Sequence, residues 1–251
     1  FSKYRPLIRE LVTRDLKVKY RRSFLGYVWS ILNPLLMMLL QTLVFSYMFR
    51  FQIENFPLYL ICGNTLFNFF NESTNMGMGS VLGNSSLIKK VYVPKFIFPI
   101  SRVVSSFVNL LFSLAAIILV MLITRSPFHL TILLVWAPLV LLFLFTCGIA
   151  LLLSALAVYF RDLQYLYSIV TMAWMYATPL FYPISALPPF MVAIVKLNPL
   201  YHYINCMRCL VMYGTVPGPN TWFACIVCAV GVMVVGLAAF RKLQRNFILY
   251  L

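Results

Sequence analysis

Residues 14–36 read RDLKVKYRRSFLGYVWSILNPLL, and the character of this stretch changes abruptly in its middle. Its first nine residues carry five basic side chains, and no further charged residue occurs until Arg50. A helix needs about 20 mostly apolar residues to cross the hydrocarbon core of a membrane. The stretch therefore predicts a spanning helix at 24–49 that begins at a basic segment. Pro34 lies inside it and predicts a kink rather than a helix end.

The composition of the whole chain is typical of a membrane protein. Hydrophobic residues make up 63% of the 251 residues and charged residues only 10%, and the mean hydropathy is +0.92. A soluble globular domain carries about 25% charged residues. The net charge is +15 because only five residues are acidic. Such a surplus favours contact with an anionic membrane face or an anionic cargo.

The pattern of apolar segments predicts six transmembrane helices. Besides 24–49, spans are predicted at 57–81, 99–123, 130–160, 163–181 and 221–240. The apolar pieces of 182–213 are too short to span and are broken by prolines, which is typical of re-entrant helices. In this topology sixteen basic residues lie on one side and four on the other. The positive-inside rule then places both termini in the cytoplasm, and the fold class is an all-α integral membrane protein.

The N-terminal segment 1–23 has the pattern of an amphipathic helix. Apolar residues such as Leu7, Leu11 and Val12 recur at helical spacing, and basic residues lie between them. This pattern predicts a helix in the plane of the membrane interface, where Lys and Arg attract anionic lipid. An alternative is a basic flank that only orients the first span. A nucleic-acid-binding arm is disfavoured because the run continues into a span and no nucleic-acid module is recognisable.

The predicted span 57–81 carries an unusual set of polar residues on one helical face. This asparagine stripe consists of Asn64, Asn68, Asn71, Glu72 and Asn75. A carboxylate at membrane depth costs about 2.5–3.5 kcal/mol on insertion scales, so the stripe must face protein or water. It predicts either a hydrated translocation path or a hydrogen-bonded seam between helices. We expect the polar face of the next span, which includes Asn109 and Ser113, to contact Glu72.

The loop 84–98 reads NSSLIKKVYVPKFIF and combines basic with apolar residues. It predicts a short cytoplasmic helix that docks into a groove on a soluble partner. A simple basic flank is the alternative.

The sequence lacks three common motifs of hydrolases and nucleotide-binding proteins. It contains no H-E-x-x-H, no G-x-S-x-G and no phosphate-binding G-x-x-x-x-G-K-[ST] loop. The pairs Cys206/Cys209 and Cys225/Cys228 have zinc-like spacing, but the second pair lies inside a predicted span, so no metal site is predicted. Catalytic and cofactor-binding residues are likewise expected to be absent from this chain.

Three longer motifs resemble those of a known family. Residues 14–36, the run VYFRDLQYLYSIVTMAWMYATPLFYPISALPP at 158–189, and LNPLYHYINCMRCLV at 197–211 occur in the expected order. They resemble permeases of the ABC-2 type, and most of all the branch that exports O-antigen, capsule and wall teichoic acid. The resemblance covers nearly the whole chain and implies one ABC-2 transmembrane domain at 1–251.

The resemblance implies the following function and partners. The chain would be the permease subunit of an ATP-driven exporter of a lipid-linked polymer in a bacterial inner membrane. It would form a homodimer and bind two copies of an ATPase subunit, which would hold ATP and magnesium. The coupling element toward that ATPase would comprise Leu87, Ile88, Lys89, Lys90, Val91, Tyr92, Val93, Pro94 and Lys95. The segment 182–213 would form re-entrant helices at the outer mouth.

The resemblance also suggests how the cargo is contacted. The anionic lipid head would meet Arg14, Lys17, Lys19, Arg21 and Arg22. Aromatic faces along which sugar rings can slide would be supplied by Phe45, Phe49, Tyr167, Trp174, Phe181 and Tyr182. The alternative for these aromatics is packing and interfacial belts. Competing functions are a small-molecule or drug exporter, a polytopic membrane enzyme and a secondary transporter. The last would have Glu72 as its only intramembrane proton carrier.

Overall fold

A computed structural model describes residues 4–20, 23–49, 53–91 and 93–250, and these form helices with no strand among them. The all-α prediction is therefore confirmed for this part of the chain. In chain order the helices are α1 (Arg5–Tyr20), α2 (Trp29–Phe49), α3 (Phe56–Met78), α4 (Ser80–Gly83), α5 (Ser85–Lys90), α6 (Ile97–Ile123), α7 (Trp136–Tyr159), α8 (Leu163–Ala177), α9 (Pro189–Leu197), α10 (Pro199–Val211), α11 (Pro219–Leu243) and α12 (Phe247–Tyr250).

Four helical segments of the described chain are long and apolar enough to cross a membrane. They are Gly26–Ser46, Ile97–Ile123, Leu130–Tyr159 and Pro219–Asn246, and they coincide with four of the six predicted spans. Helix α3 has 23 residues, but the asparagine stripe makes it less apolar. Helix α8 has 15 residues, which gives a length of about 22 Å, against about 30 Å of hydrocarbon. The chain is a multi-pass membrane protein, and spans at α3 and α8 remain predictions.

Helix α3 lies at the centre of the helix bundle. Its apolar residues are buried against α2, α6, α7 and α10. Phe70 is fully buried, and its ring lies 5.9 Å from that of Phe145 and 5.1 Å from that of Trp174. The polar stripe is the face of α3 that these neighbours leave least covered, since none of its five residues is fully buried and Asn68 is exposed.

Helices α7 and α11 cross at a close backbone contact. A Cβ atom built on Gly148 would lie 2.5 Å from the carbonyl oxygen of Val232, and one on Gly236 would overlap the carbonyl of Gly148. Lipid is as apolar as the side chains, so helices in a membrane associate through close packing rather than through the hydrophobic effect, and small residues make this packing possible. Any larger residue at Gly148 would push the two helices apart.

Helix α2 continues through Pro34, as the sequence predicts. Proline has no N–H group, so the carbonyl four residues earlier, that of Ser30, loses its helical donor. The hydroxyl of Ser113 on α6 donates to that carbonyl at 3.1 Å. The proline is therefore tolerated because a neighbouring helix replaces the missing hydrogen bond.

The predicted re-entrant segment 182–213 contains the two short helices α9 and α10, separated by Asn198. The Asn198 side chain accepts a hydrogen bond from the backbone N–H of Leu200 at 3.0 Å and so caps α10. Pro199 occupies the first position of α10, where the missing N–H has no helical partner to lose. Two short helices agree with the sequence, whereas their position in the membrane remains a prediction.

Candidate functional site

Helix α1 is amphipathic, as predicted, and its apolar face packs on the rest of the protein. Leu11 is buried in a cluster with Ile97 and Phe98 of α6, and Leu7 and Ile8 pack at the edge of that cluster. Basic residues such as Lys17 and Lys19 are exposed. This packing holds α1 beside the first turns of α6.

Asp15 is a buried carboxylate on this apolar face, with 6% of its surface exposed. Its Oδ1 lies 2.8 Å from Nη1 of Arg102 on α6 and 3.2 Å from Nη2 of Arg14. The hydroxyl of Ser105 lies 3.4 Å from its Oδ2. A buried charge is tolerated only when it is paired and hydrogen-bonded, so this ion pair fixes α1 to α6.

Lys19 lies one helical turn after Asp15 and forms a second ion pair. Its Nζ lies 2.6 Å from Oε1 of Glu72 on α3, and the side chains remain 38% and 33% exposed. The amide of Asn109 on α6 donates to the same oxygen at 3.4 Å. The expected contact of Glu72 with the polar face of α6 is therefore present, and Glu72 also pairs with Lys19, which the local sequence pattern does not predict.

A polar cavity of about 140 Å³ lies beside this ion pair. Its polar lining comes from four elements: Lys19 of α1, Ser30 and Asn33 of α2, Asn68 and Glu72 of α3, and Asn109 and Ser113 of α6. The apolar part of its lining includes Trp29, Pro34, Phe69 and Leu110. This volume is well above the roughly 10–15 Å³ that a single water molecule requires. The cavity is polar and roomy enough to be hydrated.

Two open grooves meet the polar cavity at Glu72. One, of about 620 Å³, is bordered by Arg14, Asp15, Lys19 and Arg102 and is here called the basic groove. The other, of about 450 Å³, runs along Asn71 and Asn75 and is here called the stripe groove. Glu72 lines all three spaces, so its carboxylate lies at their junction.

The asparagine stripe divides into two parts. Asn64 donates to the side-chain oxygen of Gln41 on α2 and thus belongs to a seam between helices. Asn68, Asn71, Glu72 and Asn75 line the polar cavity or the stripe groove. Within this part the amide of Asn75 donates to Oδ1 of Asn71 at 2.7 Å. The stripe therefore has features of both predicted alternatives. It forms a hydrogen-bonded seam between helices at Asn64, and it lines a polar space from Asn68 to Asn75.

The basic residues predicted to meet a lipid head lie at the surface of α1. Arg14 and Lys17 are exposed and border a further open groove. Arg14 also donates from Nη1 to Oδ1 of Asn84 at 3.4 Å. Lys19 differs from them because it also reaches the polar cavity. Arg21 and Arg22 lie outside the described residues.

The predicted coupling element presents only part of its residues to the surface. Lys89, Lys90 and Val91 are exposed. Ile88 is buried, and Leu87 and Val93 pack beside it; Pro94 is half-buried, and Tyr92 lies outside the described residues. Lys95 turns toward the C-terminal segment, where its Nζ donates to the carbonyl of Gln244 at 2.9 Å and lies 5.4 Å from the Phe247 ring. Burial lowers the pKa of Lys95 below its usual value.

The aromatic residues predicted to contact sugar are held in packed positions. The rings of Phe45 and Phe181 stack at 5.0 Å. Tyr167 donates to the hydroxyl of Thr74 at 2.7 Å, and Trp174 donates to Oδ1 of Asn198 at 2.8 Å. The hydroxyl of Tyr182 donates to the carbonyl of Tyr176 at 2.7 Å, and the side chain of Phe49 lies outside the described part. These contacts favour the packing alternative for Tyr167 and Trp174 within one subunit.

Arg208 is a buried cation that sequence reasoning missed. Its guanidinium lies 3.4 Å from the centre of the Tyr59 ring and donates to the carbonyls of Tyr59, Pro179 and Leu180 at 2.8–3.3 Å. It thus ties α10 to the start of α3 and to the chain after α8. The spacing Leu200, Ile204, Arg208 on α10 carried the signal, because Arg208 occupies an apolar position of an amphipathic helix. Asp15 carries the same signal, because it follows Leu7 and Leu11 at intervals of four residues and so occupies an apolar position of α1.

Together these features define a helical multi-pass membrane protein with a cavity of partly polar lining next to an amphipathic N-terminal helix. Residues 6–212 match the model of the ABC-2 type transporter family, and the chain belongs to that family. The family is one of transporters rather than enzymes.

Several characterised proteins are similar to the chain over nearly its full length. It is 32% identical over 246 residues to the O-antigen export system permease protein RfbA of Klebsiella pneumoniae, with 96% of this chain and 93% of that protein covered. It is 30% identical to RfbA of Myxococcus xanthus, with 97% and 95% covered. The polysialic acid transport protein KpsM of Escherichia coli is 24% identical, with 98% and 96% covered.

Proposed function

We propose that this chain is the permease subunit of an ATP-driven exporter that moves a lipid-linked surface polysaccharide out of the cytoplasm. The observation that carries the proposal is the similarity to O-antigen export permeases at 30–32% identity over nearly the whole of both chains. Relatives named for polysialic acid and capsule export widen the cargo class to surface polysaccharides in general.

The polar interior of the protein supports this function. A polysaccharide carries many hydroxyl groups, which must exchange water for protein or stay hydrated while they cross the membrane. The polar cavity and the stripe groove offer amide groups from Asn33, Asn68, Asn71 and Asn75. Uncharged amides donate and accept hydrogen bonds without the strong attraction of a fixed charge. Apart from the Lys19–Glu72 ion pair, such a lining offers hydrogen bonds to a hydroxyl-rich polymer without holding it in one position.

We extend the proposal to the topology and the partners. Six spans with both termini in the cytoplasm satisfy the positive-inside rule, and α9 and α10 are short enough for re-entrant helices at the outer mouth. The chain would work as a homodimer in the inner membrane, with two ATPase subunits that bind ATP and magnesium. The exposed Lys89, Lys90 and Val91 support a contact with the ATPase at this loop. The inward contacts of Lys95 would pass a movement of the loop to the C-terminal segment.

Deletion of the gene and complementation test the proposed function. Cells that lack the chain should accumulate lipid-linked polysaccharide in the cytoplasm and lose it from the surface, and the wild-type gene should restore it. Tagged protein should co-purify with an ATPase subunit. Normal surface polysaccharide in the deletion strain, together with new sensitivity to a small toxic compound, would replace the proposal by drug export.

A further inference from the structure

The position of Glu72 is unusual for a residue that only pairs with its neighbours. Its carboxylate borders the polar cavity, the basic groove and the stripe groove. Lys19 borders the first two of these spaces. The ion pair between them therefore lies where the basic groove, on the side of α1, meets the polar cavity between α2, α3 and α6.

The two ion pairs on α1 differ in how easily they can open. About a third of each side chain in the Lys19–Glu72 pair is exposed, so water can solvate both charges when they separate. Exposed ion pairs contribute little to stability. The Asp15–Arg102 pair has a carboxylate that is only 3% exposed, and separating it would leave a buried charge without its partner. Helix α1 can thus release α3 while it stays attached to α6.

We propose that the phosphate group of a lipid head exchanges with the Glu72 carboxylate as the partner of Lys19. The inference rests on the proposed function, which brings a lipid-linked substrate to the cytoplasmic face. In the described structure the Glu72 carboxylate is paired with the ammonium group of Lys19. This ion pair closes the junction between the basic groove and the polar cavity. An incoming phosphate carries the same type of charge as a carboxylate and offers more acceptor oxygens, so it competes for the ammonium group. The released Glu72 then faces the polar cavity, and the basic groove and the cavity become continuous.

The amide of Asn109 fits this exchange. It donates to the Glu72 oxygen that also contacts Lys19, so the carboxylate keeps a hydrogen-bond donor after Lys19 has left. The cost of opening the ion pair is reduced accordingly, since a partly buried carboxylate would otherwise lose its protein partners. Glu72 thus acts as a built-in competitor that holds the site closed until a phosphate arrives.

The test measures binding of phosphate-bearing lipids to the chain with its ATPase subunit in nanodiscs of neutral phosphatidylcholine. The labelled probe is a polyprenyl diphosphate that carries no sugar, and no ATP is added. Glu72→Gln should bind the probe about fivefold more tightly because the competing charge is gone. Lys19→Gln should bind it about tenfold more weakly, and Lys19→Arg should retain binding. In the Lys19→Gln background, Glu72→Gln should change the affinity by less than about twofold, because both residues act at one site.

Arg9→Gln is the matched control, since it removes one exposed positive charge from α1 and should leave the affinity unchanged. Unlabelled phosphatidylglycerol and inorganic diphosphate serve as competitors. Displacement of the probe by phosphatidylglycerol would show that the site accepts membrane phospholipid. Displacement by inorganic diphosphate would show that it accepts a phosphate group without a lipid tail. Either supports the exchange. Unchanged or weaker binding by a folded Glu72→Gln variant overturns it. The binding test uses a probe without polymer, so a negative result would leave the proposed export function untouched. The export function is tested separately, by the loss of surface polysaccharide in cells that lack the chain.

Discussion

In the described part of the chain two ion pairs join helix α1 to other helices, and they lie one turn apart on α1. The carboxylate of Asp15 is buried and meets Arg102 at 2.8 Å, whereas Lys19 and Glu72 meet at 2.6 Å but keep about a third of their side chains exposed. The shorter distance belongs to the pair that is easier to separate. Burial rather than distance therefore decides which pair holds the helix in place and which one can open.

The comparison also shows how charge is used in a protein with few acids. Both carboxylates lie at the basic N-terminal helix α1, Asp15 as part of it and Glu72 through its contact with Lys19. Each carboxylate is paired with a cation from a helix other than its own. One pair connects α1 to α6, and the other connects it to the polar helix α3. Helix α1 thus has one buried ion pair and one partly exposed ion pair, and the exchange proposed above requires that only the second can open.

Removing Arg102 should have the largest effect. In Arg102→Leu, the one cationic partner left to the buried Asp15 among the described residues is the partly exposed Arg14. We expect the free energy of unfolding to fall by about 3 kcal/mol, measured by denaturation in detergent. The double variant Asp15→Leu/Arg102→Leu should regain most of this loss, because it leaves no buried charge. A double variant as unstable as Arg102→Leu would show that packing, not charge, holds α1.

The isosteric change Asp15→Asn should cost less. It keeps the shape of the side chain and an oxygen that can accept from Arg102, but it removes the negative charge that balances the guanidinium. We expect a loss of about 2 kcal/mol in the free energy of unfolding, measured in the same way. A loss smaller than that of Glu72→Gln would reverse the comparison between the two pairs.

Glu72→Gln should have the smallest effect on stability. The free energy of unfolding should change by at most about 1 kcal/mol. Raising the salt from about 50 mM to about 500 mM should remove most of this difference, because exposed charges are screened. The effect of Asp15→Asn should persist at high salt. Thermal unfolding of both variants at the two salt concentrations provides the measurement, and equal salt dependence would contradict the assignment.

The helices and the asparagine stripe could be predicted from the sequence because both follow from local spacing. Asp15 and Arg208 could have been recognised as buried by the same spacing, since each occupies an apolar position of its helix. The Lys19–Glu72 pair could not, because the two residues are 53 positions apart and only the packing of α1 on α6 brings them together. The stacking of Phe45 on Phe181 depends on tertiary structure in the same way. The length of α8 differs from the predicted span because its helix ends at Ala177, ahead of Pro179.

Reconstitution of transport tests the central claim most directly. The chain and its ATPase subunit would be placed in vesicles of neutral lipid with lipid-linked polysaccharide in the outer leaflet, on the side of the ATPase. With ATP and magnesium, the polysaccharide should become protected from an external glycosidase. Without ATP, or with an ATPase that cannot hydrolyse it, no protection should appear. Protection that needs only a proton gradient, or that occurs without the ATPase subunit, would contradict the assignment as the permease of an ATP-driven polysaccharide exporter.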